Sequence, residues 1–432
     1  MNRNLYLFGG VGLLYLATGM FYSWNLSLNI LNLGLLSAIM ALGVNIQWGY
    51  AGLFSTGIVG SVALGGLAVV LVAGNPVPEG FVAGGPRILG ALAFAVLAVF
   101  GISQLYRRMS RGRVRSITVM LTMLAAFVIF RLVLDGGVSA VEANNPEQAG
   151  NIGGLGWNPL IAWPVGGLLA ALAAWVIGKI ALGLREDYLA IATLGIAEIV
   201  VAAMKNEDWL ARGVKNLGFD ARPWPVPYEV DLQVNPDFLA FANAIGGDPV
   251  TTSTILVKLL YTAMFAIVLL TLIWLSERAL NSPWGRMMRA IRDNEIAASA
   301  IGKDVTRRHL QIFIIGSAVV GLAGAMYTSM VTQINPGEYI PLRFTFLIWV
   351  MVIVGGSGNN WGSVLGGLLI GWLYFIVEDV GPRIMSVITM GMPDGDLRQH
   401  LIDSSQHLRL VTLGVILLLV LRFAPKGLLP EK

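Results

Sequence analysis

The chain has 432 residues, 56% of them hydrophobic and only 12% charged, with a formal net charge of +4. Soluble domains carry about a quarter of their residues as Asp, Glu, Lys and Arg, and a water-exposed shell around this much apolar material would run short of polar residues. The deficit of charge runs along the whole chain, so the bilayer is the natural solvent; the lack of any cysteine excludes disulfides, thiolate metal sites and cysteine nucleophiles.

A membrane span needs ~20 mostly apolar residues. In chain order the clear candidates are 5–24, 28–46, 50–73, 88–106, 116–134, 159–182, 254–276, 310–332 and 408–422, with shorter or interrupted ones at 188–204, 344–356 and 361–378. No small-residue cleavage site follows the first run, which predicts an uncleaved span rather than a signal peptide. The fold expected is an all-α polytopic membrane protein of ten to twelve transmembrane segments, some short or broken, as one domain over 1–432. The 52 glycines suit close helix approach in such a bundle.

Lys and Arg in the loops set the orientation. Arg107, Arg108, Arg111, Arg113 and Arg115 fall within nine residues, and 278–308 holds seven more basic residues; 135–158 holds Asp135, Glu142 and Glu147 and no base. The first two loops are therefore expected in the cytoplasm and the third outside. With twelve crossings both termini are cytoplasmic. Two outer segments, 205–253 and 379–407, are longer than simple connections; the first is expected to form an ordered cap or a docking surface.

No phosphate loop, H-E-x-x-H or G-x-S-x-G elbow is present, so ATP hydrolysis by this chain is not expected. Of three histidines, His400 and His407 flank Asp403, which reads as a solvated outer helix, since three such residues are an incomplete metal set. Glu198 lies inside an apolar segment, where an acid costs ~2.5–3.5 kcal/mol at mid-bilayer; it is expected to face protein or water, gating a path or holding a neighbouring helix. Arg131 and Lys179 lie near span ends and snorkel.

The segment 282–302 predicts a short amphipathic helix with Ser282 as N-cap, Pro283 in the first turn and Gly302 just past its end. Met287, Ile291, Ala298 and Ile301 recur at helical spacing. Such a helix either lies on lipid headgroups or inserts into a cytoplasmic partner. Residues 45–52 and 355–366 are Gly-rich breaks in apolar stretches, each with a Trp-Gly pair, Trp48-Gly49 and Trp361-Gly362. Unwound backbone in a membrane lines a cavity or is buried in protein, which nominates Gly49, Gly52, Ser55, Gly57, Gly355, Gly356, Ser357, Gly358 and Trp361, together with Glu198, as path residues. The alternative is close packing through Gly362-x-x-x-Gly366 and Gly367-x-x-x-Gly371.

The run Arg289-Ala-Ile-Arg-Asp-Asn-Glu-Ile-Ala-Ala-Ser-Ala-Ile-Gly302 resembles the cytoplasmic coupling loop of the branched-chain amino acid ABC permeases of the LivM type. Asn45-Ile-Gln-Trp-Gly-Tyr-Ala-Gly-Leu-Phe-Ser-Thr-Gly57, Leu184-Arg-Glu-Asp-Tyr-Leu-Ala-Ile-Ala-Thr-Leu-Gly195, Gly355-Gly-Ser-Gly-Asn-Asn-Trp-Gly-Ser-Val-Leu-Gly366 and Phe423-Ala-Pro-Lys-Gly-Leu428 agree in order, so the likeness covers most of 30–430. Segments 74–87, 135–158 and 205–253 match nothing in that pattern, and Glu186 stands where the family commonly has Gly.

The resemblance implies an ABC importer permease fold in a bacterial inner membrane. Its partners would be ATPase subunits that bind the ATP, a second permease subunit, a periplasmic solute-binding protein and membrane lipid, with no cofactor on this chain and no nucleic acid. It makes 278–308 a cytoplasmic coupling loop, with Arg289, Arg292, Glu295, Ala297, Ala298 and Gly302 at the ATPase, and branched-chain or related small amino acids the expected solutes. Urea or short amides are the nearest alternative solutes. An ion-coupled secondary transporter would need buried acids, of which Glu198 is nearly the only candidate, and a membrane enzyme lacks any convergent set of catalytic groups.

Overall fold

The computed structural model describes residues 2–144 and 150–431; Glu147 and the side chain of Glu186 lie outside the described residues. Helices follow one another with little else: α1 (Asn2–Phe21), α2 (Trp24–Ala51), α3 (Ile58–Ala73), α4 (Pro78–Arg108), α5 (Arg113–Glu142), α6 (Pro159–Ala181) and α7 (Glu186–Asn206). Short helices α8 (Asp208–Ala211), α9 (Glu229–Val234) and α10 (Pro236–Ala244) precede α11 (Pro249–Leu280). Then come α12 (Pro283–Asp293), α13 (Glu295–Ala300), α14 (Val305–Val331), α15 (Leu347–Gly355), α16 (Asn360–Ile388), α17 (Asp396–Ser404) and α18 (Leu408–Phe423).

Among the described residues nine helices are long and apolar enough to cross a membrane, and a tenth if the bent pair α17–α18 counts as one span. The shorter apolar helices Ile58–Ala73 and Leu342–Gly355 bring the apolar segments to the upper end of the expected range. Several predicted boundaries shift outward. The stretch 78–87, expected as loop, belongs to α4, because Gly84 packs against the Gly137 backbone of α5 and Pro86 is tolerated inside the helix. Helix α16 runs on to Ile388, ten residues past its predicted end, and shortens the outer segment expected at 379–407.

Side chains cap the ends. Ser23 accepts from Leu26 N at the start of α2, Asn158 from Leu160 N before α6, and Asp248 from Thr251 N before α11, satisfying donors a first turn leaves orphaned.

Burial separates a core from a lipid-facing rim. In the most apolar window of α2, 78% of residues are buried, against 67% in α14 and only 6% in α5. The centre is α2, α3, α6, α14, α15 and α16, with α4 and α5 as a peripheral hairpin. The approach of α3 and α6 to α14 needs glycine: a Cβ on Gly65 would collide with the Gly321 carbonyl, and one on Gly166 would lie 2.8 Å from Ala325 Cβ. Along α16, Gly362 and Gly366 pack on α15, and Gly367 and Gly371 on Ala38 and Gly34 of α2.

Both termini sit at one face with α12. Arg3 donates to Leu428 O at 2.9 Å, and Arg292 pairs with Glu431 at 2.8 Å. The opposite face carries an ordered layer. Strand β1 (Leu217–Gly218) pairs antiparallel with β2 (Gln333–Ile334), Trp157 N donates to Val72 O at 2.9 Å, and Arg222 joins Glu229 at 2.5 Å and stacks over Tyr228. The segment 207–248 belongs to this layer, joined to β2 through β1 and braced within itself by Arg222.

Candidate functional site

Helix α2 holds its course through Asn45–Ala51 and ends where Gly52 turns left-handed at φ +70. The predicted break at 45–52 therefore lies later, at 52–57, since residues 45–51 keep their helical bonds and only the αL glycine stops them. Helix α3, with 16 residues, is about 24 Å long, short of the ~30 Å hydrocarbon core. The extended piece 52–57 makes up the difference, and backbone at that depth needs partners.

Three neighbours supply them. Thr193 of α7 accepts from Thr56 N at 3.1 Å, while Thr56 Oγ1 donates to Ala190 O at 2.6 Å. Thr345 Oγ1, in the turn before α15, donates to Thr56 O at 3.2 Å and accepts from Val59 N at 3.2 Å. Trp349 Nε1 donates to Ser55 O at 3.1 Å, and its ring meets Trp48 edge-on at 4.8 Å. A water-sized cavity of about 20 Å³ opens beside this segment, lined by Gln47, Ser55, Ser61, Thr193 and Ser317 among apolar neighbours and by no ionisable group.

The second break spans 356–359, between α15 and α16. Gly356 and Gly358 have φ +117 and +78, and Asn359 then caps α16 by accepting from Trp361 N and Gly362 N. The second break packs against the last turns of α2. A Cβ on Gly49 would lie 2.5 Å from Gly358 N, and Asn45 Oδ1 accepts from Gly358 N at 2.8 Å. Asn360 Oδ1 receives bonds from Asn45 Nδ2 at 3.3 Å and Tyr50 OH at 3.1 Å, while Asn360 Nδ2 donates to Glu277 Oε1 at 3.0 Å. Glu277 stands in the last turn of α11, just before the predicted coupling loop, so that loop is tied at its entry to the end of α2 and the start of α16.

Its other tie is Arg292. The guanidinium donates to Gly49 O at 2.5 Å and to Glu431 Oε2 at 2.8 Å. Burial works against its charge, but Glu431 and Asp293 outweigh that and hold the Arg292 pKa above its ordinary value. The C-terminal segment lies along the second break: Leu428 N donates to Val354 O and Leu429 N to Gly355 O, both at 2.8 Å, and Asn359 Nδ2 to Pro430 O at 3.2 Å.

The coupling segment is two helices rather than the single one predicted. Asn294 breaks it, with φ −156 and ψ 96, and caps α13 by accepting from Ala297 N at 2.9 Å. The apolar stripe shifts accordingly. Met288 and Ile291 are buried, Met287 is half-buried, and Ile301 points away from the body at 74% exposed, with Ile296 at 83%. Glu295, Ala297 and Gly302 are exposed, Ala298 is buried, and Arg289 is half-buried and donates to Leu280 O at 3.4 Å.

The structure gathers Gly49, Gly52, Gly355, Gly356, Ser357 and Gly358 at this junction, with Ser55 and Gly57 on the extended piece beside the cavity. Trp361 stands on the first turn of α16, edge-on to Phe8 at 5.9 Å. Glu198 is not at the junction; it is exposed on the far side of α7. Sequence reasoning passed over Thr193, Thr345, Trp349, Asn360, Glu277 and Glu431. Polar residues inside apolar runs, as at Asn45 and Gln47, were the available signal for part of this network. Among the described residues no group of three or more His, Asp or Glu side chains is placed to hold a metal.

A bundle of apolar helices, two of whose connections are unwound and held by neighbouring helices, beside a loop that projects from one face, defines a multi-pass membrane permease. Residues 149–421 match the family described as branched-chain amino acid transport system / permease component, and the chain belongs to that family. It is 26% identical to the probable branched-chain amino acid transport permease protein LivM of Methanocaldococcus jannaschii over 401 residues, 91% of this chain and 90% of that one. It is 28% identical to the high-affinity branched-chain amino acid transport system permease protein LivM of Escherichia coli over 299 residues, 68% of this chain and 62% of the relative, less than two thirds of its length. A stretch of 97 residues, 22% of this chain and 30% of the relative, is 28% identical to the ribose import permease protein RbsC of Haemophilus influenzae. No solved structure matches.

Proposed function

We propose that this chain is the transmembrane permease subunit of an ABC importer, passing branched-chain or related small amino acids across a bacterial inner membrane while partner subunits hydrolyse ATP. The observation that carries this is the α12–α13 elbow. Two isoleucines stand exposed, Ile296 on a helix of six residues and Ile301 just past its end, beside Ala297 and Glu295 in the basic loop. An apolar knob of this kind is costly in water and is a protein contact. Arg292 and Glu277 connect it to the end of α2 and the start of α16, so a push on α13 reaches the helix ends that border the unwound segments.

The arginine-rich loops favour a cytoplasmic side for this face and both termini, which would leave 207–248 outside, where a solute-binding protein would deliver. The names of the long-matching relatives favour branched-chain amino acids over the sugar of the short match.

The test is affinity purification of the tagged chain from its native membrane. Recovery of an ATPase subunit, lost when Ile296 and Ile301 are both changed to Asp, is the expected result. A chain that comes out alone under conditions that keep other membrane complexes intact would overturn the importer.

A further inference from the structure

The turn that leads into α15 carries a cation without an acid. Residues Leu342–Phe346 wind as a π-helical turn, a rare form that recurs at functional sites. Thr345 of this turn meets the unwound piece, bonding Thr56 O and Val59 N. Arg343, two residues earlier, meets other elements: its guanidinium carbon stands 5.5 Å from the ring centre of Tyr327, 5.1 Å from that of Phe344 and 5.8 Å from that of Phe375. The side chain is half-buried, and Tyr327 lies about 6 Å before the end of α14 that leads to β2. Other arginines in or beside the spans are paired, Arg131 with Asp135, Arg292 with Glu431 and Arg409 with Glu378. Among the described residues Arg343 has no carboxylate partner, and nearby Glu338 is exposed.

An arginine in an apolar span is costly unless it meets an opposite charge or a path for polar solutes. Aromatic rings hold a guanidinium by its charge and its flat face, and leave the N–H donors along its edge for a planar carboxylate. Beside Arg343 a cleft opens between α2, α14, α15 and α16, the central helices. Ser37 and Tyr327 line it with Arg343, and the Ser37 hydroxyl has no hydrogen-bond partner among the described residues. The rest of the wall is apolar, including Leu33, Leu36, Leu347 and the two methionines Met40 and Met351, which can repack around a branched side chain. None of the described residues lining the cleft is an acid. The open space is about 20 Å³, room for a carboxylate group and too small for an acyl chain.

Taking the class of solute from the importer reading, we infer that Arg343 binds the carboxylate of an apolar α-amino acid in this cleft, with the Ser37 hydroxyl beside it. The charge and its place come from the geometry. The site shares its turn with Thr345, so a carboxylate that draws on Arg343 acts on the same turn that holds the unwound Thr56.

The test is binding of labelled leucine to the chain, with the partners that purify with it, in phosphatidylcholine nanodiscs. Leucinol, which carries an alcohol in place of the carboxylate, is the competitor. Leucine should bind, and leucinol should compete about tenfold or more weakly than unlabelled leucine. Arg343→Gln should weaken leucine binding about tenfold to hundredfold, and Arg343→Lys, which keeps the charge and loses the planar fork, about threefold to tenfold. Arg131→Gln on the peripheral α5 should leave it unchanged. The leucinol comparison needs no variant, so it decides even where Arg343→Gln does not fold. Equal competition by leucinol and leucine, no leucine binding, or full affinity in Arg343→Gln would overturn the site. Phosphatidylglycerol retained by the chain in stoichiometric amount and lost in Arg343→Gln, with leucine binding undiminished, would also overturn it and mark a lipid phosphate as the anion. Carboxylate-dependent binding at Arg343 in a complex whose uptake needs no ATP would keep the site and overturn the importer.

Discussion

Replacing Arg292 with Met removes both anchors of the coupling segment while keeping most of the side chain's apolar stem in place. The bond to Gly49 O has a charged donor and is worth about 1.5–3 kcal/mol. The pair with Glu431, whose side chains are 24% and 31% exposed, adds about 1 kcal/mol at most. A loss of about 2–3 kcal/mol corresponds to roughly 30- to 140-fold easier opening, at about 1.4 kcal/mol per tenfold. Hydrogen–deuterium exchange on the purified chain reads this directly. Amides of 46–53 and 354–360 should exchange faster by that factor in Arg292→Met and about two- to fivefold faster in Glu431→Gln, which forfeits only the ion pair. Arg286→Ala is the control, because its bond to Asn281 O is exposed and far from the breaks. Equal exchange in Arg292→Met and Arg286→Ala would refute the linkage.

Gly49→Ala should destabilise by about 1–3 kcal/mol, because the new methyl meets Gly358 N, although the same change inside an exposed helix stabilises by about 1 kcal/mol; a raised thermal midpoint would contradict the contact. Thr193→Val keeps the shape but leaves the buried Thr56 N–H unpaired, so a loss of about 1–3 kcal/mol is expected, against a change within about 0.5 kcal/mol for Thr122→Val on the lipid-facing α5. Equal midpoints for those two variants would remove the clamp. Ile296→Asp should leave the thermal midpoint within error, since the side chain is 83% exposed, yet cut ATPase recovery at least tenfold.

Much of this arrangement is legible one residue at a time. Ser282, Pro283 and Gly302 read as the limits of the coupling segment, and the structure shows Ser282 capping α12 and Gly302 at φ +83. Asn294 did not stand out, because an Asn within a charged run is as acceptable on a solvated helix face as at a new N-cap. The stretch Gly84-Gly85-Pro86 reads as a breaker in water, yet in a bundle it is where α4 meets α5. The clamp on Thr56 and the Asn45–Asn360 bond join residues 137 and 315 positions apart, and no local pattern marks such pairs. Glu198 was legible as an anomaly but not as to its side, because which face of α7 turns inward is decided by α3 and the unwound segment rather than by α7 alone.

The central claim is tested most directly in proteoliposomes holding the complex purified through this chain, with the external binding protein supplied and labelled leucine as solute. Uptake that requires ATP on the side of the α13 knob and survives collapse of the ion gradients is the predicted result. Uptake by this chain alone, without ATP and abolished when the gradients collapse, would contradict it.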